Sequence, residues 1–248
     1  MVNKIHKELK LAKEKTFKLI KGTNLVKLSI ENVAIVEAMI QNDSAYIKSG
    51  DKNADPKHSK NNKLLYAGST AYWVTQLKYF LENYKYPKYN YHTIISNIVN
   101  AIDRENSTHI NADGCGREEI TKRIVHIYPK DLKQKLKTGN LYVFNKIATR
   151  TSAKIRSRVN LSFASKFCHY VCFYIFEGEK EQDNYSIYDN VLKKALPLYV
   201  NQYGTPKRDL DNYEEYQKTI DEIIAKSKAK ISRNGFDHLL WYYFKGRI

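Results

Sequence analysis

The sequence predicts an all-α protein, because helical patterns dominate it and strand patterns are scarce. Apolar residues recur at three- and four-residue steps over most of the chain, which is the spacing of one buried helix face. The best alternating, strand-like pattern is Tyr185–Tyr188, which is too short to define a sheet. Apolar residues make up 42% of the 248 residues, enough to bury a sizeable core.

The first part of the chain is predicted to form six helices. A polar stretch with Gly50 and Pro56 separates the second helix from the third, and Pro129 separates the last two. A second loop, residues 104–116, carries Gly114 and Gly116. The predicted helices cover residues 2–21, 31–41, 64–84, 91–102, 117–127 and 130–137.

The remaining part is predicted to form five helices, with Pro197 disturbing the third of them. One face of the second helix is apolar and should be buried; it carries Leu161, Ala164, Cys168, Val171 and Ile175. We expect two helical lobes around a cleft, residues 1–140 and 141–248. The five helices cover residues 141–156, 161–175, 190–196, 213–231 and 236–244.

The charge of the chain is strongly positive. Lys and Arg number 42 against 26 Asp and Glu, which gives a formal net charge of +16. Such an excess attracts polyanions, and the 20 tyrosines can stack on bases or bond phosphate. A solvated, lysine-rich surface would have the same composition. Charge alone therefore does not specify a partner.

Several protein classes are excluded by composition. Three cysteines, Cys115, Cys168 and Cys172, do not make a disulfide scaffold, and no Cys/His set has zinc spacing. We expect no metal and no cofactor. No apolar run reaches membrane length, and the N-terminus is charged rather than signal-like. The sequence predicts a cytoplasmic protein without a membrane or an obligate protein partner.

Lys166 is the first candidate catalytic residue. A helical wheel places it opposite the apolar face, on a face that also carries Ser162, His169 and Tyr170. A partly buried lysine amine can become a nucleophile for an electrophilic sugar carbon. A solvated lysine, or one paired with a carboxylate, would explain the same position.

Asp189 is the second candidate, and it immediately precedes helical sequence. Asp is a favoured N-cap, and the helix dipole stabilises its charge. A carboxylate held there can also stabilise a sugar cation or orient a water molecule. The capping role and the catalytic role are compatible.

Together these two segments carry a resemblance. Ser165-Lys166-Phe167-Cys168, followed by Tyr185-Ser186-Ile187-Tyr188-Asp189-Asn190-Val191, resembles the core of the helix-hairpin-helix DNA glycosylases. The 8-oxoguanine DNA glycosylase branch is the most similar. In that family a Lys on one helix is the nucleophile and a later Asp is the catalytic carboxylate. Lys166 and Asp189 fall on those positions, and the resemblance covers about residues 141–200.

The resemblance implies an enzyme that flips a damaged or modified base out of the DNA and cleaves its N-glycosidic bond. It also implies abasic-site lyase activity through Lys166, either in repair or in antiviral defence against phage with modified DNA. His169, Tyr170 and Tyr188 are the expected pocket residues. DNA contacts are expected from Lys154, Arg156, Arg158, Asn160 and Ser162.

The chain departs from the family in the segment before Lys166. That hairpin normally contains glycine, which lets backbone N–H groups approach a phosphate. Residues 156–163 contain no glycine. This departure keeps an alternative open, a non-catalytic nucleic-acid-binding protein on the same fold.

Overall fold

The computed structural model describes residues 16–42, 68–82, 89–106, 108–110, 116–149 and 159–248. These ranges contain ten α-helices, a short 3-10 helix and one isolated β-bridge, and none of them forms a β-strand. The prediction of an all-α fold is confirmed, and the helix-hairpin-helix arrangement stays a prediction. None of the described helices is long and apolar enough to cross a membrane.

The helices follow the predicted order. Their bounds are α1 (Ile30–Asn42), α2 (Thr70–Glu82), α3 (Tyr91–Asn106), α4 (Gly116–Val125), α5 (Pro129–Lys137), α6 (Leu141–Ala148), α7 (Leu161–Ile175), α8 (Asn190–Tyr203), α9 (Tyr213–Ser227) and α10 (Arg233–Phe244). The 3-10 helix (Lys180–Asp183) lies between α7 and α8.

The chain divides into two compact units. One combines Met1–Asp43 with Tyr188–Ile248, and the other is Ser44–Ile187. Helices α5 and α6, which lie on either side of residue 140, therefore belong to the same unit. The predicted lobes do not coincide with these units, and a functional division at residue 140 stays a prediction.

In the Ser44–Ile187 unit, α7 packs against α2, α3, α5, α6 and the 3-10 helix. Its predicted apolar face is confirmed, since Ala164, Cys168, Val171 and Ile175 are all buried and only Leu161, at the helix start, is partly exposed. Burying one Val or Ile side chain stabilises the fold by about 1.5–3 kcal/mol. The buried face therefore determines which side chains of α7 remain exposed to solvent.

Asp103, near the end of α3, organises the start of α4. Its buried carboxylate accepts hydrogen bonds from the Thr108 hydroxyl (2.6 Å), the Ile110 N–H (3.1 Å) and Arg117 Nε (2.7 Å). Burial alone would raise the pKa of Asp103, but these donors hold the pKa below its usual value. This network was not predicted from the sequence.

In the other unit, buried tyrosines connect the N-terminal segment to the C-terminal helices. The Tyr199 hydroxyl on α8 donates to the Val26 carbonyl at 2.8 Å, and the Tyr243 hydroxyl on α10 donates to the Asn24 carbonyl at 2.8 Å. Helix α10 also packs on α1 and α8. These contacts explain why sequence-distant segments form one unit.

The predicted helix over residues 2–21 is wrong for residues 17–21; residues 1–15 lie outside the described chain. Leu19 and Val26 form an antiparallel bridge, and Ile20 N–H donates to the Leu25 carbonyl at 2.9 Å. Gly22 has φ 76°, which glycine adopts without a steric penalty and which reverses the chain. The buried amide of Asn32 bonds the Lys18 backbone on both its N–H and its carbonyl, which fixes the turn against α1.

The two largest differences between predicted and observed helix ends are at α8 and α6. Pro197 does not stop α8, which continues to Tyr203; the proline is exposed, while buried Leu196 and Tyr199 anchor the helix beside it. Packing therefore offsets the one backbone hydrogen bond that proline removes. Helix α6 ends at Ala148 rather than near residue 156, and residues 150–158 lie outside the described chain.

Candidate functional site

Lys166 lies on a partly exposed face of α7. Ser162, Tyr170 and Phe173 share this exposure, and they lie opposite the buried apolar face, as the helical wheel predicts. Lys166 Nζ donates a hydrogen bond of 3.2 Å to Ser162 Oγ, one turn earlier. A hydroxyl acceptor orients an ammonium group without neutralising its charge.

Tyr170 and His169 follow Lys166 on α7, and the structure places them differently. The Tyr170 hydroxyl donates to Asn106 Oδ1 at 2.9 Å, which links the face to the end of α3. His169 is only 2% exposed, and its ring stacks on Phe173. A pocket role for the two residues stays a prediction, but only Tyr170 lies at the surface.

The tautomer of His169 follows from its hydrogen bond. Its Nδ1 lies 2.8 Å from the Tyr185 carbonyl oxygen. A carbonyl oxygen can only accept, so Nδ1 carries a proton and donates it to this bond. The contact ties α7 to the extended segment that leads toward Asp189.

Asp189 is the N-cap of α8, and this part of the prediction is confirmed. Its backbone is extended, and Oδ1 accepts a hydrogen bond from the Leu192 N–H at 2.9 Å. Asp189 also lies near the buried Tyr216 of the same unit. Burial raises the pKa of the Tyr216 phenol, and the negative charges of Asp237 and Asp189 raise it further.

Tyr188 is held by a group of residues that we call the Tyr188 clamp: Tyr188, Lys193, Asp211 and Tyr216. The Tyr188 hydroxyl donates to Asp211 Oδ1 at 2.9 Å, and its ring centroid lies 5.0 Å from that of Tyr216. Lys193 forms an ion pair with the same Asp211 oxygen. Hydrogen bonds from Lys193 and from Tyr188 lower the pKa of Asp211.

The clamp gives Tyr188 a structural role. Its side chain is buried and fully engaged within its own unit, although a pocket role stays a prediction. Asp211 and Lys193 are not among the residues that the sequence predicted for the site. Asp211 is 23 residues from Tyr188, and no local spacing connects them.

The five predicted DNA contacts fall into three groups. Lys154, Arg156 and Arg158 lie outside the described residues. Ser162 is partly exposed and bonded to Lys166. Asn160 is only 4% exposed, and its backbone N–H donates to the Ala148 carbonyl at 3.0 Å.

Asn160 therefore acts in this structure as an anchor between the end of α6 and the start of α7. Its side chain does not cap α7, and its Nδ2 is buried without a hydrogen bond within the described chain. A buried amide does not present its donor to a phosphate at the surface. The DNA-contact role of Asn160 stays a prediction.

Metal binding and cysteine nucleophiles can also be checked in the described residues. These residues contain no cluster of three or more His, Cys, Asp or Glu side chains able to hold a metal ion. Cys168 and Cys172 are buried on α7, and burial raises the pKa of both thiols, which disfavours the reactive thiolate. The cysteines therefore fit the core role rather than a nucleophilic one.

The two candidate catalytic residues belong to different units, Lys166 to Ser44–Ile187 and Asp189 to the other. Each is suited to one part of the same chemistry. A helix N-terminus favours the charged form of a carboxylate, and a partly exposed amine can reach an electrophile.

Comparison with known proteins gives one partial match. The HI_0787_N family, whose model is described as an N-terminal domain, matches residues 59–173. The matched segment is less than half of the chain; it includes Lys166 and ends before Asp189. No curated protein and no solved structure matches this chain.

Proposed function

We propose that the protein is a DNA glycosylase of the helix-hairpin-helix type. It would flip a damaged or modified base out of DNA and cleave its N-glycosidic bond, in cytoplasmic repair or in defence against phage with modified DNA. The observation that carries the proposal is Lys166, an amine held on the partly exposed face of a helix whose other face is buried. The resemblance to the 8-oxoguanine branch and the net charge of +16 support it.

In the proposed reaction, the base leaves from C1′ with the bonding electron pair and takes a proton. The Asp189 carboxylate stabilises the positive charge that develops on the sugar. The unprotonated amine of Lys166 forms the new bond to C1′ and loses a proton, and opening of the sugar ring then gives a Schiff base. β-Elimination from that intermediate expels the 3′ phosphate and nicks the strand.

The capping bond of Asp189 is compatible with this role. One carboxylate oxygen accepts the Leu192 N–H, which fixes the group at the start of α8. A carboxylate has about four acceptor positions, so a single cap bond leaves capacity for other interactions. The Tyr188 clamp holds the residue before Asp189 and so helps to keep the carboxylate at the start of α8.

The alternative is a non-catalytic DNA-binding protein on the same fold. One observation favours it: the cap bond to Leu192 accounts for Asp189 without any chemistry. The absence of glycine from residues 156–163 favours it as well. The two functions differ in whether a covalent intermediate forms.

Borohydride trapping on DNA with an abasic site tests the proposal. Wild type should form a reduced adduct, and Lys166→Ala should form none, because the Schiff-base nitrogen is absent. Lys180→Ala is the matched control, since Lys180 is an exposed lysine of the same unit, and it should trap like wild type. An adduct of wild-type yield in Lys166→Ala would contradict the covalent role.

A second assay separates the remaining outcomes. If no protein traps, release of free base from a panel of modified duplexes is measured with wild type and Asp189→Asn. Base release that depends on Asp189 would retain a glycosylase without lyase activity. Absence of both adduct and base release would leave the non-catalytic alternative.

A further inference from the structure

Tyr142 and two lysines form an exposed cluster on α5 and α6. Tyr142 is 41% exposed, Lys135 Nζ lies 4.4 Å from its ring centroid, and Lys146 Nζ lies 5.5 Å from the same centroid. Lys135 comes from α5 and the other two residues from α6. We call these three residues the Lys-Tyr-Lys cluster.

The backbone around the cluster is well defined. Gly139 has φ 64° and reverses the chain between the two helices. Asn140 caps α6, and its Oδ1 accepts the Tyr142 N–H at 2.8 Å. Both helices are anchored on the opposite side by buried residues, among them Leu136 and Phe144. The backbone positions of the three residues are therefore fixed by the fold.

The charges of the cluster have no anionic partner in the part of the chain that the structure describes. Neighbouring cations do have partners there: Lys137 pairs with Glu179 at 3.7 Å, and Lys122 pairs with Glu118. Lys135 and Lys146 form no such pair with a described carboxylate. Residues 128–149 contain five lysines and one acidic residue, Asp131, so this stretch of the chain is basic as well.

We propose that the Lys-Tyr-Lys cluster binds a backbone phosphate of duplex DNA. The two ammonium groups supply positive charge from two helices, and the Tyr142 hydroxyl can donate to a phosphate oxygen. Because the two ammonium groups lie over the ring, a base would have to displace them to stack there, whereas a phosphate can bind them and the hydroxyl together. The cluster is thus a sequence-independent anchor. It rests on the DNA-binding part of the proposed function and adds a site outside residues 154–162.

The test is binding to an undamaged duplex, measured by fluorescence anisotropy between about 50 and 200 mM salt. The double variant Lys135→Glu/Lys146→Glu is compared with Lys207→Glu/Lys230→Glu, which reverses two exposed lysines of the other unit. Both variants change the net charge equally, so the general attraction to DNA falls equally. Circular dichroism and thermal unfolding check that both variants fold.

The cluster variant should bind at least about tenfold more weakly than the control variant, and its salt slope should fall by about 1–2. Tyr142→Phe should lose about threefold, the value of one hydrogen bond. Equal affinity of the two double variants, an unchanged salt slope, or a wild type that does not bind duplex DNA would overturn the proposal.

The undamaged duplex separates this proposal from the glycosylase proposal. If the cluster variant loses affinity and wild type never traps an abasic site, the phosphate anchor is supported and the chemistry is not. If wild type traps and the cluster variant binds like the control, the chemistry is supported and the anchor is wrong.

Discussion

Lys166 and Asp189 are held in different ways, although the proposed reaction needs both. Lys166 extends from the middle of α7 and bonds a side-chain hydroxyl one turn earlier, at 3.2 Å. Asp189 begins α8, where its carboxylate accepts a backbone N–H at 2.9 Å. The residue before it, Tyr188, is fixed by the Tyr188 clamp.

The two residues differ in what determines their placement. Helix periodicity and the buried face of α7 determine where the Lys166 backbone lies, and its long side chain bonds another side chain. Asp189 has a short side chain and a backbone partner, so both its position and its orientation are determined. Different substitutions at Asp189 should therefore affect stability and chemistry separately, whereas Lys166→Ala should affect chemistry with little change in stability.

The largest expected effect is at Asp189. Asp189→Asn keeps a side-chain oxygen for the Leu192 N–H and removes the negative charge. Base release should fall by about 10²–10³, the usual loss when one electrostatic stabiliser of a transition state is removed. The free energy of unfolding should change by less than about 0.5 kcal/mol, because Asn is an equally good N-cap. Single-turnover base release and urea unfolding measure the two quantities.

Asp189→Ala is the companion variant. It loses both the charge and the capping oxygen. The free energy of unfolding should therefore fall by about 1 kcal/mol, and base release should fall as far as in Asp189→Asn. If Asp189→Asn kept wild-type base release, the residue would be a cap alone. The difference between the ways in which Lys166 and Asp189 are held would then have no consequence for catalysis.

Local sequence patterns were sufficient for much of this structure. The helical periodicity predicted the buried face of α7, and an Asp before a helical segment predicted the cap at Asp189; both are confirmed. Those predictions succeed because the physics involved acts within a few residues. The prediction that the helix ends before Pro197 was wrong, because packing of the residues around the proline outweighs the backbone hydrogen bond that it removes.

Features made by distant residues were not predictable in the same way. The helical wheel places His169 on the Lys166 face, but the residue is buried and its ring bonds the Tyr185 carbonyl. A helical wheel cannot predict a contact with another segment of the chain. Asp211 reaches Tyr188 from 23 residues away. The Lys-Tyr-Lys cluster lies between these cases. Tyr142 and Lys146 have helical i, i+4 spacing, but Lys135 comes from another helix.

A smaller effect is expected at the Tyr188 clamp. Tyr188→Phe removes the hydrogen bond to Asp211 and should destabilise the protein by about 1 kcal/mol at neutral pH. Tyr128→Phe is the control, since Tyr128 is 78% exposed. Urea unfolding of the two variants and wild type gives the comparison.

The pH dependence of this difference follows from Asp211, whose pKa is lowered in the folded protein. A lowered folded pKa means that the stabilisation is present above the unfolded pKa, about 3.9, and is lost as pH falls through the folded value. The Tyr188→Phe difference should therefore shrink below about pH 4. A difference that stays constant down to pH 2 would show that Asp211 does not hold Tyr188.

The smallest effect is expected at Ser162. Ser162→Ala removes the hydroxyl that Lys166 bonds, but the contact is 3.2 Å long and partly exposed, so its net value is about 0.5 kcal/mol. The rate of borohydride trapping should change by less than about threefold, and Ser162→Thr, which keeps a hydroxyl, should match wild type. A loss of more than tenfold in Ser162→Ala, rescued by Ser162→Thr, would show that this one bond positions the amine. Lys166 would then be as firmly held as Asp189, and the contrast between the two residues would disappear.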